Sequence, residues 1–156
     1  MGIEDLMVNK RVLYHYTEGV DWAYEMWYRS PDRVVYRVVS GPLAGRTNYV
    51  KGWYQEIYPG KMYKVSWMEE TGTIVSQTID VKEKKIWTFA AFSKGHHENR
   101  GICQGHKTTH LDQWRELAKI GIQTDRHMVP SSGVIDEILE GPGEHLPKIG
   151  DDWAVL

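Results

Sequence analysis

The sequence contains one cysteine, Cys103, so no disulfide can form within the chain, and a reducing compartment is compatible with that. No run of about 18 apolar residues occurs, which excludes a membrane-crossing helix. Basic charge is not concentrated: 19 Lys and Arg are scattered among 21 Asp and Glu, for a formal charge of −2. That excludes the basic face expected of a nucleic-acid or anionic-membrane binder. Metal motifs are missing too. His96 and His97 are adjacent, His106 and His110 stand four apart without an acidic or Cys ligand at motif spacing, and no Cys-x-x-Cys or His-Glu-x-x-His is present. No metal site is expected. The turn Gly41-Pro42-Leu43-Ala44-Gly45-Arg46 lacks the Gly-Lys-Ser/Thr ending of a phosphate loop, Cys103 has no evident base, and no Gly-x-Ser-x-Gly occurs. Residues 1–6 lack the basic flank and apolar run of a secretory signal, so a soluble, cytoplasmic protein is expected.

Phenylalanine is nearly absent, at 2 residues, whereas Trp numbers 7 and Tyr 9. Aromatic surface here therefore usually carries an N–H or O–H that needs a partner when buried. Such residues suit an ordinary β-protein, and they also suit a pocket for a flat, partly polar ligand. With 156 residues, 41% apolar and 26% charged, the chain fits one globular domain over residues 1–156.

Alternation with a period of two dominates the first two thirds. It predicts strands at residues 11–17, 22–28, 33–40, 45–52, 53–58, 62–69, 73–80 and 84–92. Residues 93–100 read as a polar loop, and 110–120 as a helix with Leu111, Trp114, Leu117 and Ala118 at helical spacing. A last strand is expected at 134–139, and the Gly/Pro-punctuated tail 141–156 lies on the surface or frays. The expected fold is mostly β: a small antiparallel barrel with one or two flanking helices. About eight strands can close around one small ligand.

Three features suggest chemistry. Glu69 ends an otherwise apolar row of Tyr63, Val65 and Trp67. If that row faces inward, Glu69 is a partly dry acid with a raised pKa. Tyr14 and Tyr16 stand two apart on one strand face and offer two phenolic donors. Arg46 follows a glycine at a strand start, from where it can reach inward as a cation. The same residues also fit plain structure, since paired tyrosines are good strand formers and a strand-end Glu is often solvated.

At these positions the chain resembles the phenolic acid decarboxylase family. Tyr14-His15-Tyr16 with Gly19, Trp22-Ala23-Tyr24-Glu25, and Tyr36-Arg37-Val38-Val39-Ser40-Gly41 running on to Ala44-Gly45-Arg46 are similar to successive family motifs. The block from Tyr63-Lys64-Val65-Ser66-Trp67 through Glu69 to Thr71-Gly72-Thr73 resembles the family's most extended motif, and Val134-Ile135-Asp136-Glu137 a late one. The likeness spans roughly residues 10–140 in one consistent order.

The resemblance implies a lipocalin-like barrel, a homodimer, no cofactor, and decarboxylation of 4-hydroxycinnamic acids to 4-vinylphenols. Tyr14, Tyr16, Arg46 and Glu69 fall on its catalytic positions, and Trp22, Tyr24 and Glu137 on positions that line the pocket. Val75 and Ala90 are expected on the pocket wall, with Ala90 where the family usually has a bulky aliphatic, so larger ring substituents should fit. For Glu69 to act as an acid, Arg46 is expected to keep its distance, because a close cation lowers a carboxyl pKa. The rival readings are a lipocalin-like carrier of aromatic acids without turnover, and an isomerase or hydratase of related phenolics.

Overall fold

The structure, a computed structural model, describes residues 7–156. Residues 1–6, on which the expectation about a secretory signal rests, lie outside the described residues. Nine strands form one antiparallel sheet: β1 Lys10–Glu18, β2 Ala23–Ser30, β3 Arg33–Val38, β4 Thr47–Lys51, β5 Trp53–Tyr58, β6 Met62–Met68, β7 Ile74–Asp80, β8 Lys85–Phe92 and β9 His127–Glu140. Three short helices, α1 Lys94–Glu98, α2 Arg100–Cys103 and α3 Lys107–Leu117, connect β8 to β9. The strand order is β4-β3-β2-β1-β9-β8-β7-β6-β5, so the late strand β9 joins two meanders. The edges β4 and β5 are consecutive in sequence, which leaves the barrel nearly closed. Gly52 makes the corner between them, where a Cβ would sit 2.7 Å from the Val34 side chain.

The alternation read from sequence has a direct structural meaning. Val12, Tyr14 and Tyr16 on β1, Tyr63, Val65 and Trp67 on β6, and Val75, Gln77 and Ile79 on β7 all point inward and are buried. Their neighbours face out. A second apolar cluster forms outside the barrel, where Leu146 and Ile149 pack on Trp27, Val35 and Tyr49. The tail 141–156 therefore seals one outer face, and Arg29 Nε anchors it by donating to the Ile149 carbonyl at 2.9 Å. No helix among the described residues is long and apolar enough to cross a membrane.

Three expectations about elements change. The segment expected as a loop at 93–100 contains α1 and the start of α2. The Ser93 side chain caps α1 by accepting the His96 N–H at 3.2 Å, and Gly95 permits contact with α3, since a Cβ there would meet the Leu117 carbonyl at 2.1 Å. Helix α3 begins at Lys107 rather than 110, because the Lys107 ammonium docks on the Tyr49 carbonyl and the Glu70 carboxylate, each at 2.7 Å. Strand β9 begins seven residues before the expected 134 and carries Pro130 and Gly133, which local propensity reads as breakers. Gly133 crosses β1 so closely that a Cβ would meet the His15 carbonyl at 2.2 Å.

Candidate active site

Two turns bring the charged pair inward. Glu69 follows β6 in a tight turn: its N–H donates to the Thr73 carbonyl and its own carbonyl accepts from Gly72 N–H, both at 2.8 Å. Gly72 supplies the positive φ of 87° that the turn requires. Arg46 ends the 41–46 turn, where its N–H donates to the Leu43 carbonyl at 3.0 Å and its carbonyl accepts from Val38 at 2.9 Å. Both side chains then project into the barrel interior.

There they meet. Arg46 Nη2 donates to Glu69 Oε2 at 2.8 Å, with 1% and 4% of the two side chains exposed. Arg46 Nη1 donates to the Cys103 carbonyl at 2.8 Å and Nε to the Tyr36 hydroxyl at 3.1 Å, and Trp114 lies 3.8 Å below the guanidinium. Glu69 Oε1 accepts a short bond from the Tyr36 hydroxyl and one from the Trp67 indole at 3.2 Å. Burial by itself pushes the Glu69 carboxyl up, but the Arg46 charge, His96 and the bonds from Tyr36 and Arg46 outweigh it and hold the group below its ordinary value. The expectation that Glu69 is raised and that Arg46 stands off is thus corrected for the unliganded protein. The row did turn inward, but the same interior brought its counter-ion into contact.

A cavity with about 560 Å³ of space free of protein atoms, its mouth included, opens from this pair along the barrel. Tyr14, Tyr16, Trp22, Tyr24, Arg46, Glu69, Val75 and Ala90 all line it. Tyr24 stacks on Tyr14 with ring centres 5.4 Å apart and contacts Tyr36 at 6.4 Å. A row of three rings therefore runs from the Arg46–Glu69 end towards Tyr14 and Tyr16. At that second end Tyr28 donates to Gln77 Oε1 at 2.6 Å, Gln77 Nε2 donates to the Tyr14 hydroxyl at 3.1 Å, and Tyr16 donates to Thr88 Oγ1 at 2.7 Å. Burial raises Tyr14, Tyr16, Tyr24 and Tyr36 above the usual phenol value, so they act as neutral donors.

Glu137 is the exception among the expected site residues. It is exposed and outside the barrel, so the expectation that it lines the pocket is corrected. A bulge explains this: Tyr14 pairs with Ile135 but Leu13 pairs with Glu137, leaving Asp136 as an extra residue. On either side of the bulge the inward side chains are Ile135 and Ile138, and Asp136 reaches His15 on the outer face at 2.8 Å.

Among the cavity residues that sequence reasoning missed, Tyr36, Gln77 and His96 bear most on the chemistry. Tyr36 carried the inward alternation of Val34 and Val38. Gln77 was legible as a lone amide between inward Val75 and Ile79. His96 had no such signal, because its segment is polar throughout. His97, stacked on His127 at 3.8 Å, does not line the cavity, and neither does His106 at the N-cap of α3 nor His110 on that helix.

Fold and site together define a small, nearly closed antiparallel barrel with an acid–guanidinium pair at one end of an aromatic cavity. The chain belongs to the phenolic acid decarboxylase (PAD) family, whose profile matches residues 4–139. It is an enzyme of that family, a carboxy-lyase. It is 32% identical over 127 residues to phenolic acid decarboxylase PadC of Bacillus subtilis (strain 168), an alignment covering 79% of this chain and 75% of that protein. It is 35% identical over 78 residues to a "Probable phenolic acid decarboxylase" of Vibrio cholerae, covering 49% and 42%. Among solved structures, a Burkholderia vietnamiensis protein named as a beta-lactamase superposes with a TM-score of 0.54 at 18% identity, over 83% of this chain and 95% of the other, which shows the shared fold alone.

Proposed function

We propose that the protein removes CO₂ from 4-hydroxycinnamic acids of the coumaric, ferulic and caffeic type, giving 4-vinylphenols without a cofactor. The observation that carries this reading is the Glu69 carboxyl, sealed beside Arg46 in the wall of an aromatic cavity. Direct loss of CO₂ from a cinnamate would leave a vinyl anion, which is too unstable to form. Protonating the alkene carbon next to the carboxylate avoids it. The para-oxygen pushes electrons through the ring, and a quinone methide forms with the carboxylate still attached. The C–C bond then breaks, its electron pair restores the aromatic ring, and neutral CO₂ departs into the apolar barrel.

Glu69 is the proton donor in this scheme. It is ionised in the free protein, and substrate binding reverses that. A second carboxylate beside Arg46 shares the one guanidinium, and two like charges around one cation raise the acid's pKa. Glu69 then takes up the proton that the net reaction consumes. With Glu137 on the outer face, the para-hydroxyl is received at the other end by Tyr14 and Tyr16. The Tyr14 hydroxyl accepts from Gln77, which leaves its own proton to donate to a phenolate.

A homodimer and a cytoplasmic setting belong to the same proposal. Met68, Ile74, Phe89 and Met128 form an exposed apolar band on the outer face of β6–β9, a surface that a second copy would cover. Light scattering on Phe89→Lys tests it, a monomer being the expected result.

Mixing the protein with 4-coumarate tests the reaction. CO₂ release with loss of the conjugated-acid absorbance is expected, and none with the 4-methoxy analogue, which lacks the ionisable phenol. Saturable binding of 4-coumarate without CO₂ would make the barrel a carrier instead.

A further inference from the structure

One polar group in the cavity wall has no place in the chemistry above. His96 is 2% exposed and lines the cavity from α1. Its Nδ1 is tied to Thr71 Oγ1 at 2.8 Å and Thr73 Oγ1 at 2.7 Å, and the Phe92 ring packs edge-on at 4.9 Å. On the other side of the ring, Nε2 makes no hydrogen bond to any described residue. A buried side-chain nitrogen without a partner is uncommon in a folded protein.

The threonines decide which nitrogen holds the proton. Thr73 Oγ1 already accepts the Ser93 N–H at 3.1 Å, so its own hydrogen is free to point at Nδ1. Thr71 Oγ1 has Nδ1 as its one recorded partner, and both threonines are buried. If Nδ1 carried the hydrogen, both hydroxyl protons would be stranded. With Nδ1 accepting, its lone pair takes up hydroxyl hydrogen that would otherwise be stranded, and the ring hydrogen sits on Nε2.

We propose that His96 Nε2–H donates to the substrate carboxylate alongside Arg46, making it a residue that selects acids over their neutral products. The assignment rests on reading the cavity as the site of decarboxylation. Thr71 and Thr73, which hold the ring, lie in the turn that follows Glu69, and Cys103 accepts from Arg46 through its carbonyl while its thiol donates to the His96 carbonyl at 3.7 Å, so all three share one end of the cavity, while Tyr14 and Tyr16 occupy the other. A neutral donor suits that end better than a second cation. Burial, helped by Arg46, pushes the imidazole down to about 3, so near neutral pH it donates as an uncharged ring. Once CO₂ leaves, the product offers Nε2 no anion to hold.

Two ligands separate this inference from the reaction itself. 4-Methoxycinnamate keeps the carboxylate but lacks the ionisable phenol, and 4-vinylphenol lacks the carboxylate. His96→Val is expected to weaken binding of 4-methoxycinnamate by about tenfold and of 4-vinylphenol by less than about twofold. A parallel loss for both, or no loss for either, overturns the assignment. Because the variant also removes the threonine contacts, nitrogen NMR of isotope-labelled histidine in the unaltered protein provides a second measurement. It should show Nε2 protonated, with a shift on adding 4-methoxycinnamate and none with 4-vinylphenol. An unprotonated Nε2, or equal shifts, refutes the proposal. Neither readout requires turnover, so a failed 4-coumarate assay and a failed His96 assignment are distinguishable.

Discussion

Glu69 and Arg46 meet at 2.8 Å inside the barrel, and the Tyr36 hydroxyl bridges them by accepting from one and donating to the other. Because each is the other's counter-ion, removing either leaves a charge with no solvent to receive it. The free protein holds an ionised acid, and the proposed chemistry needs that acid protonated. What a bound ligand does to this pair decides whether the acid can give up a proton.

Glu69→Gln should retain the fold and still bind 4-methoxycinnamate, since the amide oxygen can take the Oε2 place and accept from Arg46 while the amide nitrogen donates to the Tyr36 hydroxyl. Vinylphenol formation should fall by about a thousandfold, the scale of a lost general acid. Leaving the guanidinium unpaired should cost about 3 kcal/mol, read from urea unfolding. Near-normal CO₂ release from the variant would remove Glu69 from the donor role.

Ligand binding should take up a proton. With an ionised Glu69 in the free protein and a protonated one in the complex, affinity for 4-methoxycinnamate should rise as the medium goes from about pH 8 to about pH 6. Titration calorimetry in two buffers of different ionisation heat measures the uptake directly. A value near zero would mean that the acid stays ionised beside the ligand.

Stability should fall on acidification in two windows. The folded His96 titrates at about 3 against an ordinary 6.5, so the unfolded chain binds the extra proton between those values. Its contribution is complete above the ordinary value and is lost as pH drops towards 3. Glu69 is held below its ordinary 4.5, so its contribution is present above 4.5 and disappears as pH falls through the depressed value. Urea midpoints measured against pH should therefore begin to decline below about pH 6.5, well before carboxylates titrate. His96→Gln should flatten that upper window and leave the lower one in place.

Ala90 faces the cavity between Val75 on β7 and Val129 on β9. The small side chain leaves room beside the substrate ring, and a dimethoxy 4-hydroxycinnamate should be turned over at a rate comparable to the unsubstituted acid. Ala90→Ile should reduce kcat/KM for the dimethoxy compound by about thirtyfold and for the unsubstituted one by less than about threefold. Strong discrimination by the unaltered protein would show that another residue limits the pocket.

Much of this was legible in the residues themselves. Side chains in a strand alternate with a fixed period, so Tyr14 with Tyr16, and Tyr63, Val65 and Trp67 with Glu69, announced two shared faces before any fold was known. Short-range pattern also located the turn that aims Arg46, whose Gly41 and Gly45 occupy backbone conformations that other residues resist.

Contacts between distant segments were a different matter. Arg46 touches Glu69 across 23 positions and Gln77 reaches Tyr14 across 63, separations at which sequence spacing carries no geometry. One extra residue in β9 turned Glu137 outward, and packing of α1 on α3 through Gly95 buried a histidine from a polar stretch. The sequence by itself determined the strands, their faces and the inward acid. Closure of the barrel alone decided which charges met, and with them the state of that acid, because pairing and desolvation depend on what the folded chain brings within a few ångströms.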